Sequence, residues 1–85
     1  MSEMNINRLD IIILELLESY KCNNKYLGMT ISEMMESCNM GCRNNVYIRL
    51  RKLLKEELIG KGIIDNHADT YYITKKGLEI LQTIE

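Results

Sequence analysis

Apolar residues recur with a helical rhythm along most of the chain. Over residues 6–20, Ile6, Leu9, Ile13, Leu16, Leu17 and Tyr20 fall at i, i+3, i+4 and i+7, the spacing that gathers side chains on one face of an α-helix. Ile12 joins the edge of that face. Ile11 and Leu14 project to the opposite side, near Glu18. A helix apolar on two sides is expected to have two partners: its own core and, as the leading reading, a second copy of the chain, the alternatives being that Ile11 and Leu14 are simply exposed or are covered by the C-terminal helix. Residues 21–28 carry Asn and Gly turn formers and predict a loop. Thr30-Ile31-Ser32-Glu33 then fits a capping box, in which hydroxyl and carboxylate satisfy the orphan amides of a helix start. Ile31, Met34, Met35 and Cys38 share one face of the helix that follows. It should end near Asn39, with Gly41 allowing a tight turn.

Residues 43–58 predict a further helix, with Val46, Leu50, Leu53 and Leu54 as its buried stripe. Leu58 and Ile59 re-enter the core. Gly60-Lys61-Gly62 breaks the helical period, and Ile63-Ile64 continues as extended chain. Residues 65–69 form a polar turn. Thr70-Tyr71-Tyr72-Ile73 returns as a strand, because Thr, Tyr and Ile suit a pleated surface. Thr74 is a natural N-cap, and Leu78, Ile80, Leu81 and Ile84 mark a final short helix. The order helix, an optional short strand, helix, turn, helix, hairpin, helix predicts an α+β, mainly α, fold. One domain spans residues 1–85, with no repeat and no linker.

Composition narrows the chemistry. An 85-residue chain of 9.9 kDa buries only about 60–65% of its unfolded surface, which leaves little room for a deep active site. Its one histidine, His67, falls in a predicted turn with no Ser or Cys partner, and the acidic residues show no paired arrangement. Gly60-Lys61-Gly62 is far from a phosphate-binding loop. No enzyme activity and no cofactor are expected. The longest apolar run, Ile11-Ile12-Ile13-Leu14, is far too short for a bilayer, and no signal peptide is expected. Cys22, Cys38 and Cys42 are an odd count, so a reduced, cytoplasmic protein without a disulfide framework is expected. Cys38-x-x-x-Cys42 raises metal or thiol sensing, but structural zinc sites are built from four ligands in tight pairs, and no metal site is expected.

Charge is distributed unevenly. The formal net charge is −1, with a pI near 5.8, which by itself argues against a nucleic-acid partner. Yet residues 43–61 hold Arg43, Arg49, Arg51, Lys52, Lys55 and Lys61 against Glu56 and Glu57, a net +4, while both flanking segments are acidic. A basic stripe on one helix is the electrostatic footprint of nucleic-acid binding. The competing reading is a solvated helix face.

Three segments together resemble the winged helix-turn-helix family of bacterial and archaeal regulators. Thr30-Ile31-Ser32-Glu33-Met34-Met35 is similar to the start of the motif's first helix. The run from Val46 to Ile59 resembles a recognition helix leading into the Leu-Ile pair before the wing. Tyr72-Ile73-Thr74-Lys75-Lys76-Gly77-Leu78 resembles the strand and Thr-x-x-Gly helix start that follow it. The sequence departs from the pattern in two places: Glu57 stands where Gly is common before the Leu-Ile pair, and Gly41-Cys42-Arg43-Asn44-Asn45 stands where Ser or Thr often opens the recognition helix. The short length and the Tyr-Tyr-Ile-Thr-Lys-Lys-Gly segment look closest to small PadR-like and MarR-like domains.

The resemblance implies a winged helix-turn-helix with a two-stranded β-hairpin wing and a recognition helix at about 43–57. It also implies double-stranded DNA as partner, a homodimer and no membrane. Base edges in the major groove would be read from Arg43, Asn44, Asn45, Ile48, Arg51 and Lys52. Asn suits adenine N6 and N7, Arg suits guanine O6 and N7, and an aliphatic side chain packs on a thymine methyl. Arg49, Lys55, Lys61 and Lys75 would touch phosphates, which position a protein without carrying sequence. Tyr47 is expected to be partly buried. Asn66 and His67 stand at the wing tip, where Asp65 and Asp69 oppose phosphate. Ile11, Leu14, Leu81 and Ile84 are the expected dimer contacts. A transcriptional regulator is the leading reading. A plasmid or phage DNA-partition adaptor, a winged-helix protein-interaction module with an unidentified protein partner, and a thiol- or metal-sensing repressor are the alternatives.

Overall fold

The computed structural model describes residues 6–39, 41–64 and 67–84, the side chain of Ile84 excepted. Helix α1 spans Arg8–Ser19. Asn7 opens it: its side chain accepts the Asp10 N–H at 2.9 Å, and the Asp10 carboxylate accepts the Asn7 N–H at 3.1 Å. The helix closes with Lys21 in the left-handed region, φ 57. There the Lys21 N–H reaches the Glu18 carbonyl at 3.0 Å and the Cys22 N–H reaches the Leu17 carbonyl at 2.8 Å, the paired bonds of a Schellman end.

Helix α2, Ile31–Ser37, starts from the Thr30–Glu33 capping box expected for it. It stops at Ser37, short of Asn39, because Cys38 is already extended. Gly41 takes φ +83 in the turn. Helix α3, Arg43–Lys55, also ends before the expected residue 58. A second Schellman end is the reason. The Glu57 and Leu58 N–H groups bond the Leu54 and Leu53 carbonyls, each at 3.0 Å, with Glu57 at φ 66. Glu57 therefore occupies the left-handed position that Gly adopts most readily.

Strand β1, Ile59–Lys61, pairs antiparallel with β2, Tyr71–Ile73. Ile59 lies opposite Ile73 and Lys61 opposite Tyr71. The regular pairing is shorter than the predicted extended stretches. Beyond it, the Gly62 N–H bonds the Thr70 carbonyl at 2.9 Å and the Thr70 hydroxyl donates to the Ile63 carbonyl at 2.6 Å. The outer edge of β2 is covered by the preceding loop: Met29 and Tyr71 exchange two backbone bonds at 2.9 and 2.8 Å, and the Ile73 N–H reaches the Cys22 carbonyl at 2.7 Å.

Helix α4, Lys75–Ile84, is tied to the end of α3. The Thr74 hydroxyl donates to the Glu57 carbonyl at 2.7 Å and accepts the Gly77 N–H at 3.1 Å, while the Thr74 N–H reaches the Leu58 carbonyl at 3.1 Å. That junction explains the Thr-x-x-Gly spacing, since a Cβ on Gly77 would collide with the Leu58 carbonyl oxygen.

The core joins Ile13, Leu14 and Leu17 of α1 to Val46, Leu50 and Leu53 of α3, with Leu58, Ile59, Ile73 and Leu81. Two expected dimer contacts are corrected here. Leu14 is fully buried and Leu81 is 3% exposed. Helix α1 packs against both α3 and α4, so its second apolar side is covered from within the chain. Ile11 is half-buried, and the Ile84 side chain lies outside the described residues.

Candidate nucleic-acid interface

One side of α3 is sealed and the other open. Val46, Leu50 and Leu53 are buried, whereas Arg43, Asn44, Asn45, Tyr47, Ile48, Arg51 and Lys55 are exposed and Lys52 is half-buried. Ile48 is 52% exposed, an aliphatic side chain in a polar, basic surface. It shares a shallow open groove with Arg51, Lys52, Lys55 and Glu56. From Arg43 to Lys55 this face runs about 18 Å at 1.5 Å per helical residue, a length that suits a major groove.

Neighbouring groups orient several of these side chains. Arg43 donates to the Ser32 hydroxyl of α2 at 3.0 Å. The Arg51 guanidinium lies 5.9 Å from the Tyr47 ring centre, within reach of a cation–π attraction. Tyr47 is 45% exposed, more open than the partly buried side chain expected. It stands on a hollow shared with Ser32, Arg43 and, from the hairpin, Ala68 and Asp69. That hollow brings the hairpin beside the start of α3.

Arg49, expected to touch phosphate, is paired with an acid of α1. Its Nε donates to Asp10 Oδ1 at 2.7 Å, and its second terminal nitrogen pairs with Asp10 Oδ2. Asp10 is 1% exposed, and the hydrogen bond to it is the main reason the Arg49 pKa lies above its ordinary value. Arg49 thus ties α3 to α1. The Asn7-x-x-Asp10 spacing signalled a helix cap, but nothing local links Asp10 to a residue 39 positions away.

The wing carries both signs of charge, as its sequence indicated. Lys61 is paired with Asp69 at 3.3 Å, both half exposed, and that hydrogen bond raises the lysine pKa. Lys61, one of the expected phosphate contacts, therefore has an acidic partner within the hairpin. His67 is exposed with φ 68. Asp65 and Asn66 lie outside the described residues. Lys75 is exposed at the start of α4. The Thr74–Glu57 bond puts it near the C-terminal end of α3, so the fold does not bring it beside Arg43, Asn44 and Asn45.

Cys22 is buried, Cys38 half-buried and Cys42 exposed. Burial, with the Glu33 charge second, pushes the Cys22 thiol up. Cys42 stands at the N-cap of α3 without a side-chain capping bond. Among the described residues no cluster of three or more His, Cys, Asp or Glu could hold a metal ion, and no helix is long and apolar enough to cross a membrane.

No known family matches the chain, and no curated protein does. Solved structures do. TubR from Bacillus megaterium pBM400 is 20% identical with a TM-score of 0.83, over 94% of this chain and 87% of that one. The solution structure of the DNA-binding TubR fragment from Clostridium botulinum is 24% identical with a TM-score of 0.70, over 96% of this chain and 100% of that one. Likeness at this identity establishes the fold: four helices with a two-stranded antiparallel hairpin, a winged helix. It is with TubR, rather than with the PadR-like and MarR-like domains suggested by the sequence, that the fold compares.

Proposed function

We propose that the chain binds double-stranded DNA, with α3 in the major groove. One observation carries this reading: the exposed side of α3 presents Asn44, Asn45, Ile48, Arg51 and Lys55 together in the one basic segment of an otherwise acidic chain. Base-reading amides, an aliphatic group and cations on one helix face are the set that a major groove accepts. Asn44 and Asn45 would read adenines and Ile48 would pack on a thymine methyl, so the preferred site contains A·T pairs. Arg51, steadied by Tyr47, would read guanine, while Lys55 and, in place of the base edge first expected for it, half-buried Lys52 would contact phosphates. The likeness to a DNA-binding TubR fragment supports the same reading.

The chain acts as a homodimer, placing two recognition helices about 34 Å apart on a two-fold site. Leu14 and Leu81 are removed from its interface by their burial, and Ile11 remains as a half-buried candidate. The likeness to two TubR proteins favours the partition-adaptor form of the reading at least as much as the regulator form. Both use the same DNA face and differ in what the bound protein recruits.

In-vitro site selection, followed by affinity against salt, tests the proposal. The expected result is one two-fold site and a steep negative log–log slope, because cations displace counterions from phosphates. Ile48→Ala should relax the preference for thymine without changing that slope. Absence of binding at low salt would instead support a protein-interaction module.

A further inference from the structure

We propose that the Asp10–Arg49 pair is a positioning device for base reading, setting the angle at which α3 presents Asn44, Asn45 and Ile48. This rests on the DNA-binding reading above and refines it: Arg49 governs discrimination between sequences and not attraction to phosphate.

The geometry of the pair is the ground for this. Arg49 directly follows Ile48 and stands one helical turn after Asn45, so whatever holds Arg49 holds that face. The residues that α1 and α3 contribute to the buried cluster, Ile13, Leu14, Leu17, Val46, Leu50 and Leu53, are all aliphatic. Hydrophobic burial is non-directional and resists a small roll of one helix over another only weakly. A two-point guanidinium–carboxylate fork resists it strongly, because both parallel bonds must keep their planar geometry. Asp10 is itself immobilised. Its Oδ2 also accepts the Asn7 N–H at 3.1 Å, and the residue lies in the first turn of α1, 1% exposed.

The consequence of losing that fork follows from helix dimensions. Side-chain ends stand about 5–6 Å from a helix axis. A roll of about 20° therefore moves an Asn44 or Asn45 amide by about 2 Å, well beyond the tolerance of a bidentate hydrogen bond to a base. The same roll leaves long, flexible Lys52 and Lys55 able to find phosphate oxygens. Specific binding should suffer while non-specific binding does not.

Two variants test this: Arg49→Lys, which keeps the charge but loses the fork, and the double variant Asp10→Asn with Arg49→Gln, which removes both charges together and leaves a neutral amide at each position, the glutamine too short to rebuild the fork. For each, affinity is measured for the selected duplex and for a random-sequence duplex over a salt series, with far-UV circular dichroism confirming the folded state. In both variants the ratio of specific to random affinity is expected to fall by about tenfold, the scale of one lost base contact. Random-duplex affinity and the double variant's salt slope should match the parent. A slope lowered by about one in the double variant would make Arg49 a phosphate contact and overturn the proposal. So would an unchanged ratio in either folded variant, which would leave the pair a purely stabilising role. If Arg49→Lys fails to fold, the double variant decides by the same criteria. Failure of the parent chain to bind either duplex is a separate outcome, seen before any variant is made; it overturns the DNA-binding reading and this proposal with it.

Discussion

Gly77→Ala sets two effects of opposite sign against each other at the junction of α3, the hairpin and α4. Alanine is the better helix former, by about 1 kcal/mol over glycine, so an open site in α4 would be stabilised. The site is closed. A Cβ there would overlap the Leu58 carbonyl oxygen and come within 2.8 Å of Ile73 Cγ1. The carbonyl has nowhere to retreat, since it accepts the Thr74 N–H at 3.1 Å. Overpacking of this kind costs about 1–3 kcal/mol. Shifting α4 to relieve it would lengthen the Thr74–Leu58 bond or the Gly77–Thr74 capping bond, at about 1 kcal/mol each. Subtracting the gain in propensity leaves a net loss of about 1–3 kcal/mol. That is a large part of the roughly 4–13 kcal/mol expected for a domain of this length. In a thermal melt followed by far-UV circular dichroism it corresponds to a fall of about 5–20 °C in Tm, and a urea titration should give the same free energy. Gly41→Ala is the matched control: nothing lies within 4 Å of its Cβ position, but φ is +83, so its loss would come from conformation alone. A Gly77→Ala protein as stable as its parent would refute the close approach of α4 to Leu58.

Three further outcomes follow from the helix ends and the buried acids. Cys42→Ser should supply the side-chain bond missing at the N-cap of α3 and raise stability by about 1 kcal/mol; an unchanged urea midpoint would contradict that cap assignment. Glu57→Gly should relieve the left-handed conformation at φ 66. Some of the gain is returned through greater freedom of the unfolded chain, so about 0.5–1 kcal/mol of stabilisation remains; a loss would contradict the Schellman end. Alkaline conditions should destabilise the fold. Burial is the chief cause that raises Cys22 above its ordinary value of 9.0 and Tyr71 above 10.0, so the folded state holds these protons more tightly than the unfolded state. That stability is complete below pH 9 and is lost as pH rises through the folded values. Urea midpoints independent of pH from 8 to beyond 10 would contradict it.

Much of the fold was legible because its signals are local. The Thr30–Glu33 capping box, the turn at Gly41, the apolar stripe of α3 and the Thr74–Gly77 helix start each lie within a few residues, and backbone geometry turns such spacings directly into structure. The open face of α3 was legible too, since the period that buries Val46, Leu50 and Leu53 exposes Asn44, Ile48 and Arg51. Helix ends were less so. Lys21 and Glu57 close α1 and α3 in a conformation usually left to Gly or Asn, and their side chains give no sign of it. The exposure of Tyr47 depends on how closely the hairpin approaches α3, which no local pattern records.

By itself, the sequence determined which side of each helix is apolar, where the hairpin lies, and that positive charge concentrates on the third helix. Those properties depend on residue order and on the 3.6-residue period alone. Tertiary structure decided what each face meets. Periodicity showed that α1 is apolar on two sides, but only the placement of α4 beside it assigned Leu14 to the chain's own core. The resemblance to winged helix-turn-helix proteins implied that Arg49 would touch phosphate. Only the packing of α1 on α3 brought Asp10 to it across 39 positions, because a helical repeat gives a side chain its direction and the rest of the fold supplies its partner.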